Sequence, residues 1–578
     1  MNPLNLAMPA WLRPVLLLGA SIIVTTAFAT APEKQRAKPT TVAGMPAAKA
    51  LALGERMYRE GILPDGTAMR TFVSGDVAIA GTTYSCASCH LRSGLGSSEG
   101  GVLTLPTNGY RLAQTRYWKF PNLLPEERKN LRVQNVAARP PYDDSTLAKV
   151  LRTGIDPSGR QLNQTMPRYD LSDANMAILT HYLWSLNADL SPGADNTSIR
   201  FATVITDEVS TEDQEAMLVP IKNYIERHNS RAHLMDTKMY GSIGGKEMSG
   251  SYRSFHLDVW RLKGAPDTWK GQLESYLAKT PVFALLSGIS TREWKPIHDF
   301  CESNRLPCLF PITDLPALSE TGWYTQYFSK GYYQEGETAA RFLADQDHSS
   351  ATERVLQVIQ AGPEARELAA GFRETWKELG KEPSKEIQLK PGELLTTDSV
   401  MKMLQQERPT ALVLWQANGV SEILGNLELQ ADRPGGVIVS SRLLGSKLMT
   451  LPERAWPFTW ITYPYRGPIE EVKISRLAVP LMKGITRPRP ESRISTRVYS
   501  MLMILQALLL EMDRNIYRDN LMDRIGMLRD YELPDYLRFS FGAGQRYASR
   551  GCYIMQILPG SEPGKEPRLW PSSEWVIH

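Results

Sequence analysis

The chain has 578 residues, enough for about four domains at ~150 residues each. Its 42 % hydrophobic and 22 % charged residues are ordinary globular material, which excludes a disordered or collagen-like chain. A net charge of +4 gives no general attraction to a polyanion, so no nucleic-acid partner is expected. A mean hydropathy of -0.29 excludes a polytopic membrane protein, and five cysteines are too few for a disulfide-dense scaffold.

Arg13 precedes the apolar run VLLLGASIIVTTAFATA over residues 15–31, with small residues at Ala27 and Ala29. This pattern predicts a secretory signal with an A-x-A cleavage site. The run is a little long for a signal core and a little short for a spanning helix, so an uncleaved N-terminal anchor is the alternative. Either way, residues 1–31 direct the rest of the chain out of the cytoplasm, and a periplasmic location is expected. The longest later apolar run, MLMILQALLL at 501–510, has the length of a buried core helix.

A helix is predicted over 47–60, followed by an extended insert at 61–84. Then comes Cys86-Ala87-Ser88-Cys89-His90, a C-x-x-C-H signature of c-type haem attachment. Two thiols at this spacing reach the two vinyl groups of one porphyrin, and the next histidine is swung under the iron. A zinc site needs further soft ligands, and the sequence contains no second C-x-x-C. A second insert, 91–140, is rich in Gly, Pro and aromatics, including Tyr117, Trp118 and Phe120. It could cover a haem or present a docking surface.

The sixth iron ligand is expected on a downstream loop. Met166 precedes Pro167, which keeps the backbone extended and displays the methionine from a loop. Met57 and Met176 fall in helical stretches and read as core packing; Met69 is less easily placed. His181, on the predicted helix 172–186, is the rival ligand.

Residues 46–187 therefore resemble a class I cytochrome c domain: a first helix, CASCH, a helix ending at Gly154, a methionine loop and a last helix that crosses the first. The resemblance implies an all-α unit with one covalent haem c. Cys86 and Cys89 would hold the porphyrin, with His90 and Met166 as axial ligands. Tyr182 and Trp184 would pack in the core or on the haem. A filled coordination shell implies single-electron transfer rather than catalysis.

Residues 188–198 form a polar linker carrying Pro192 and Gly193. Beyond it, predicted strands near 199–205, 255–261, 281–287, 354–359, 410–415, 436–440 and 457–463 alternate with helices, as in parallel sheets covered on both faces. No G-x-G-x-x-G follows a strand and no Walker A motif is present. The local runs PVFALLSGIS (281–290), LFPITD (309–314) and the late FSFGAGQ and SRGCYI runs resemble the type I periplasmic solute-binding proteins, the branched-chain amino acid and amide receptors of ABC transporters. The resemblance covers 199–560, leaves 561–578 as a C-terminal tail, and implies a two-lobed α/β domain with parallel sheets and a late hairpin.

By position, the resemblance nominates Ser287, Ser290 and Thr313 in the first lobe. In the second it nominates Trp415, Gln416, Asn418 and Tyr463, lining a site for a small polar ligand at the carboxyl ends of strands. Gly331-Tyr332-Tyr333 stands where amide receptors carry an acidic residue, so amino-acid specificity does not carry over. In an oxidising compartment Cys301 and Cys308, flanking one turn, could form a disulfide, and Cys552 is expected to be buried. The other histidines lack metal-ligand spacing.

The chain is thus expected to be a multidomain exported cytochrome, not an enzyme. Its partner would be a periplasmic redox protein, either a dehydrogenase or another cytochrome. The alternatives are a haem-bearing substrate-binding component of an ABC importer or a ligand sensor, and an open-iron enzyme such as a peroxidase. A membrane is expected only through an N-terminal anchor.

Overall fold

A computed structural model describes residues 39–73, 77–99, 102–116, 138–239, 253–319, 321–346, 354–430, 433–467, 478–486, 492–542, 544–560 and 567–577. The expected signal or anchor at 1–31 and the aromatics Tyr117, Trp118 and Phe120 lie outside these residues.

The first unit is built on α1 (Ala47–Glu60), α2 (Cys86–His90), α3 (Asp144–Thr153) and α4 (Asp173–Ser185). In α1 the inward positions Ala50, Gly54, Met57 and Tyr58 recur at helical spacing, and Gly61 closes it in the left-handed region. Asp143 and Thr146 open α3 with reciprocal side-chain-to-backbone bonds. Helices α1 and α4 cross at Gly54, where a Cβ would meet Ile178 O and Tyr182 Cβ at 2.6 Å each, so only glycine allows the approach. Tyr182 packs its ring 5.4 Å from Tyr58.

The expectation of an all-α unit needs correction. The insert after α1 forms a hairpin of β1 (Arg70–Val73) and β2 (Val77–Ala80), and β3 (Arg168–Asp170) pairs with the free edge of β1. Cross-strand pairs such as Thr71–Ile79 and Val73–Val77 place β-branched side chains opposite one another, which favours pleated backbone.

The second body contains two sheets. In the first, β4 (Ser198–Thr206), β5 (Ser254–Leu262), β6 (Ala284–Leu286), β7 (Cys308–Leu309) and β8 (Thr325–Gln326) are all parallel, in the order β8-β7-β6-β4-β5. In the second, β9 (Val355–Ile359), β10 (Lys385–Gln388), β11 (Ala411–Trp415), β12 (Gly436–Ser440) and β13 (Thr459–Tyr463) are parallel, in the order β10-β9-β11-β12-β13. The runs VLQVI, ALVLW and GVIVS are buried along their whole length, as strands covered on both faces must be.

The chain passes from the first sheet to the second through α5 (Tyr332–Asp345). It later returns, so that α6 (Ile494–Met512) packs along the first-lobe helix Thr211–Met239 and against α7 (Arg518–Gly526). Helix α6 is long and apolar enough to cross a membrane, yet Met501, Leu502, Leu505 and Leu508 are buried in the shared core. The run at 501–510 is thus a core helix, as its length predicted.

Two boundaries move. Strand β14 (Gly551–Leu558) joins β13 antiparallel, and the expected tail supplies β15 (Arg568–Pro571) and a further pair at Val576–Ile577, so the second sheet extends to residue 577. The late hairpin does not form: Phe539 pairs with Tyr531 and Tyr547 with Tyr327, both on the first lobe, while Gly551 begins β14 in the second. The linker is docked, because the Ser191 hydroxyl accepts the Arg518 N–H at 2.9 Å and Asp195 ties Thr197 and Ser198 into a turn.

Candidate functional site

The turn Cys86–His90, expected to attach a haem, is one short helix. Ser85 enters it in extended conformation and Leu91, with φ of 63°, ends it. Cys86 is buried with its Sγ 3.4 Å from the Tyr169 hydroxyl, and Cys89 is half-buried. His90 Nδ1 lies 2.7 Å from Leu105 O. A carbonyl only accepts, so Nδ1 carries the proton and Nε2 keeps its lone pair, the arrangement of a metal-ligating imidazole. Desolvation pulls the His90 pKa down to about 4, so the ring is neutral at pH 7.

The surrounding loop is held closely. Tyr58 donates to Leu91 O at 2.8 Å, Gly96 N to His90 O at 3.1 Å and the Ser97 hydroxyl to Cys89 O at 3.2 Å. Gly94 O accepts from Thr107 N and Asn108 N at 2.7 and 3.2 Å, which sets the segment that presents Leu105 O. A Cβ at Gly96, φ +78°, would lie 2.0 Å from Thr104 O, so this approach requires glycine.

Met166 is half-buried against the apolar cluster that contains Cys86. Its carbonyl accepts from the Arg168 guanidinium, which also reaches Leu162 O at 3.1 Å and so folds the loop around the methionine. Strand β3 follows at once and carries Tyr169 to Cys86, so the first insert links the methionine loop to the attachment turn. Met57, Met69 and Met176 are buried in the same cluster as packing residues. His181 is half-buried on α4, and Trp184 donates its indole N–H to Asp144 at 2.8 Å.

In the second body, Ser287, Ser290 and Thr313 all follow first-sheet strands at their carboxyl ends. Ser287 is fully buried in left-handed conformation, with its hydroxyl lacking a hydrogen-bond partner. Ser290 donates to Glu208 at 3.0 Å, and Thr313 Oγ1 accepts from Leu315 N at 3.1 Å. Gln416 caps Asn418 O, and Asn418 accepts from Lys447 Nζ at 2.7 Å. Tyr463 accepts from Arg493 at 2.6 Å.

Trp415 is a correction. It is fully buried in the core beneath α5, with its indole N–H on Gln357 Oε1 at 2.7 Å, and forms no cleft wall. The expected Cys301–Cys308 bridge is also absent: both are buried free thiols, close enough to interact. Cys552 is buried and unbridged, as expected.

What joins the lobes is a charged cluster that sequence reasoning missed. Asp314, beyond β7, meets Arg442 at 3.2 Å and Arg497 at 3.4 Å. Arg442 follows β12 in the second lobe and Arg497 lies on α6 of the first, so Asp314–Arg442 is an interlobe ion pair. Arg442 also lies 3.5 Å from Glu335 on α5, whose other oxygen accepts from Ser440 and Thr462 at 2.8 and 2.5 Å. Tyr465 packs under the guanidiniums of Arg442 and Arg493, at 5.2 and 4.3 Å, and Arg493 pairs with Asp535 at 3.4 Å. Burial works to raise Asp314, but the Arg442 and Arg497 guanidiniums outweigh it and hold it below its ordinary value. Burial pushes Glu335 up to about 7 against the pull of Arg442, Thr462 and Ser440.

No protein-family model and no curated protein matches this sequence. Among solved structures, an ABC transporter substrate-binding protein from Sphaerobacter thermophilus aligns at 12 % identity over 66 % of this chain and 98 % of its own, with a TM-score of 0.47. A solute binding protein of an ABC transporter from Rhodopseudomonas palustris BisB5, in complex with 3,4-dihydroxy benzoic acid, aligns at 13 % over 66 % and 97 %, with a TM-score of 0.46. A branched chain amino acid ABC transporter from Thermus thermophilus, with bound valine, aligns at 13 % over 66 % and 97 %, with a TM-score of 0.44.

The missed residues had a sequence signal. Ser440-Ser441-Arg442 and Tyr463-Pro464-Tyr465-Arg466 are polar or aromatic runs ending buried strands, and Arg493 and Arg497 are one helical turn apart at the start of α6. The first two runs lie at the carboxyl ends of parallel strands, where polar groups gather in open α/β sheets.

Proposed function

We propose that this chain is an exported electron-transfer protein whose first unit carries one covalently attached haem c. Its second body, similar in topology to periplasmic solute-binding proteins, takes a small polar ligand between its lobes or docks a redox partner. The observation that carries the haem reading is His90. Its Nδ1 is committed to Leu105 O, its Nε2 lone pair remains for iron, and the thiols of Cys86 and Cys89 sit on the same turn. Met166, folded toward the same cluster, is the sixth ligand in this reading. Bound there, the group supplies a one-electron couple. The chain's own part is to fix the imidazole, to shield one thiol edge with Tyr169 and to present the methionine from a braced loop.

The test is expression in a host that matures c-type cytochromes. The wild type is expected to keep haem through acid-acetone extraction, with only Cys301, Cys308 and Cys552 open to alkylation in denaturant. Cys86→Ser with Cys89→Ser is expected to lose the pigment. Retention of haem by that double variant, or five free thiols in the wild type, overturns the reading. Met166→Ala is expected to turn a low-spin ferric spectrum high-spin; an unchanged spectrum transfers the role to another residue, His181 first.

A second reading, a substrate-binding component of an importer, is favoured by the two parallel sheets with polar groups at their carboxyl ends. Titration calorimetry with panels of amino acids and aromatic carboxylates distinguishes it: a tight ligand that leaves the haem potential unmoved supports transport.

A further inference from the structure

The second body reaches into the loop that follows His90. Asp523 on α7 is buried, and its two carboxylate oxygens accept from two consecutive backbone N–H groups, Arg92 at 3.3 Å and Ser93 at 2.8 Å. The contact belongs to a wider seam. Glu55 pairs with Arg305 through two bonds of 2.7 and 2.8 Å, and Arg59 meets Asp519 at 2.7 Å while Tyr324 donates to the same carboxylate at 2.9 Å. The Arg92 guanidinium lies 3.9 Å over Trp323. These bonds dock the unit; only the pair from Asp523 enters the loop backbone between His90 and Gly94.

That loop sets the imidazole. Ser93 O accepts from Asn187 at 2.7 Å, and Gly94 O fixes Thr107 and Asn108, so the segment carrying Leu105 O is held from the loop that Asp523 holds. Leu105 O in turn accepts from His90 Nδ1. The series Asp523, Ser93, Gly94, Thr107, Pro106, Leu105, His90 is continuous through hydrogen bonds and adjacent backbone.

We propose that Asp523 is a positioning residue for His90, a carboxylate supplied by the solute-binding-like body that orients the haem unit's axial imidazole and helps set its redox potential. The inference rests on the haem reading above. Asp523 touches neither iron nor porphyrin in this account; it acts through the loop. Two effects share a sign. A nearby carboxylate favours the more positive ferric state, and a well-held Leu105 O strengthens the Nδ1 bond and with it the donor strength of the imidazole. Removing the charge and loosening the loop both raise the midpoint potential.

The experiment is a redox titration of the full-length, haem-loaded chain at pH 8, with resonance Raman of the iron–histidine stretch read in the ferrous Met166→Ala background, where the iron is five-coordinate. Loading is checked first by haem retention after extraction: a wild type without covalent haem sinks the functional reading, independently of Asp523. Given loading, Asp523→Asn is expected to shift the midpoint positive and lower the stretching frequency, and Asp523→Glu to recover most of both. Asp519→Asn, which weakens the same seam without reaching the loop, is expected to leave both near wild type. A folded Asp523→Asn protein with an unmoved potential and stretch overturns the proposal, as does an equal shift from Asp519→Asn. Should the variants fail to fold, hydrogen exchange on the wild type decides: Arg92 and Ser93 amides as protected as α7 support it, and exchange at the rate of an open loop refutes it.

Discussion

Glu335 shows how a single buried carboxyl ties the charged cluster between the lobes to pH. Its ordinary value is 4.5, and burial raises it to about 7 in the fold. Between those values the folded chain holds a proton that the unfolded chain has released, so stability falls as pH rises through that window. Asp523, raised by burial to about 6 from 3.8, adds the same slope lower down. Glu335→Gln keeps the contacts to Ser440 and Thr462 in shape and removes the titration. Its urea midpoint is expected to vary less than the wild type's between pH 4.5 and 7, leaving the slope from Asp523. At this scale the turn of Cys86, Cys89 and His90 was legible because C-x-x-C-H is a local spacing carried on one short helix. Trp415 was not: a residue ending a strand faces the cleft or the core according to what packs beside it, and Gln357 and α5 decide for the core.

Helices and strands were read well where periodicity is strong. Helix α1 was placed at its actual residues because Ala50, Gly54, Met57 and Tyr58 mark one face. The close crossing at Gly54 gives a test: Gly54→Ala gains about 1 kcal/mol of helix propensity but forces a Cβ against Ile178 O, an overpacking worth ~1–3 kcal/mol. A net loss is expected, seen as a lower urea midpoint for the first unit and faster amide exchange along α4. Helix α6 offers a larger effect. Leu505 is 1 % exposed within the core shared with helix Thr211–Met239, so Leu505→Ala is expected to destabilise by about 2–5 kcal/mol and to stay soluble, as a core position rather than a lipid-facing one. The hairpin of β1 and β2 escaped reading because its strands are four residues each, and the pairing of β1 with β3 joins segments about a hundred residues apart.

For the whole molecule, the interlobe pair Asp314–Arg442 is the decisive contact. Arg442 is 4 % exposed, and Asp314 also neutralises Arg497, so Asp314→Asn leaves the buried Arg497 without this carboxylate and Arg442 with Glu335 alone. A loss of about 3 kcal/mol is expected, with a larger radius of gyration by small-angle scattering as the lobes part. An unchanged scattering profile would mean that α5 and the returning chain alone hold the lobes together. The seam at Glu55–Arg305 and Arg59–Asp519 explains why the linker at 188–198 is docked, although its Pro, Gly and polar residues read as a spacer.

By itself, the sequence determined the short CASCH turn, the main helices of the first unit, the alternation of strand and helix after residue 198 and the burial of the 501–510 run. All of these rest on spacing within a few turns of chain. Only the tertiary structure decided that the last residues complete the second sheet, that Asp314, Arg442, Arg497 and Glu335 form one charged cluster between the lobes, and that Asp523 holds the loop after His90. The reason is physical: these contacts pair residues more than a hundred positions apart, or complete a sheet edge, and their energy depends on burial and charge partners that exist only once the two bodies have come together.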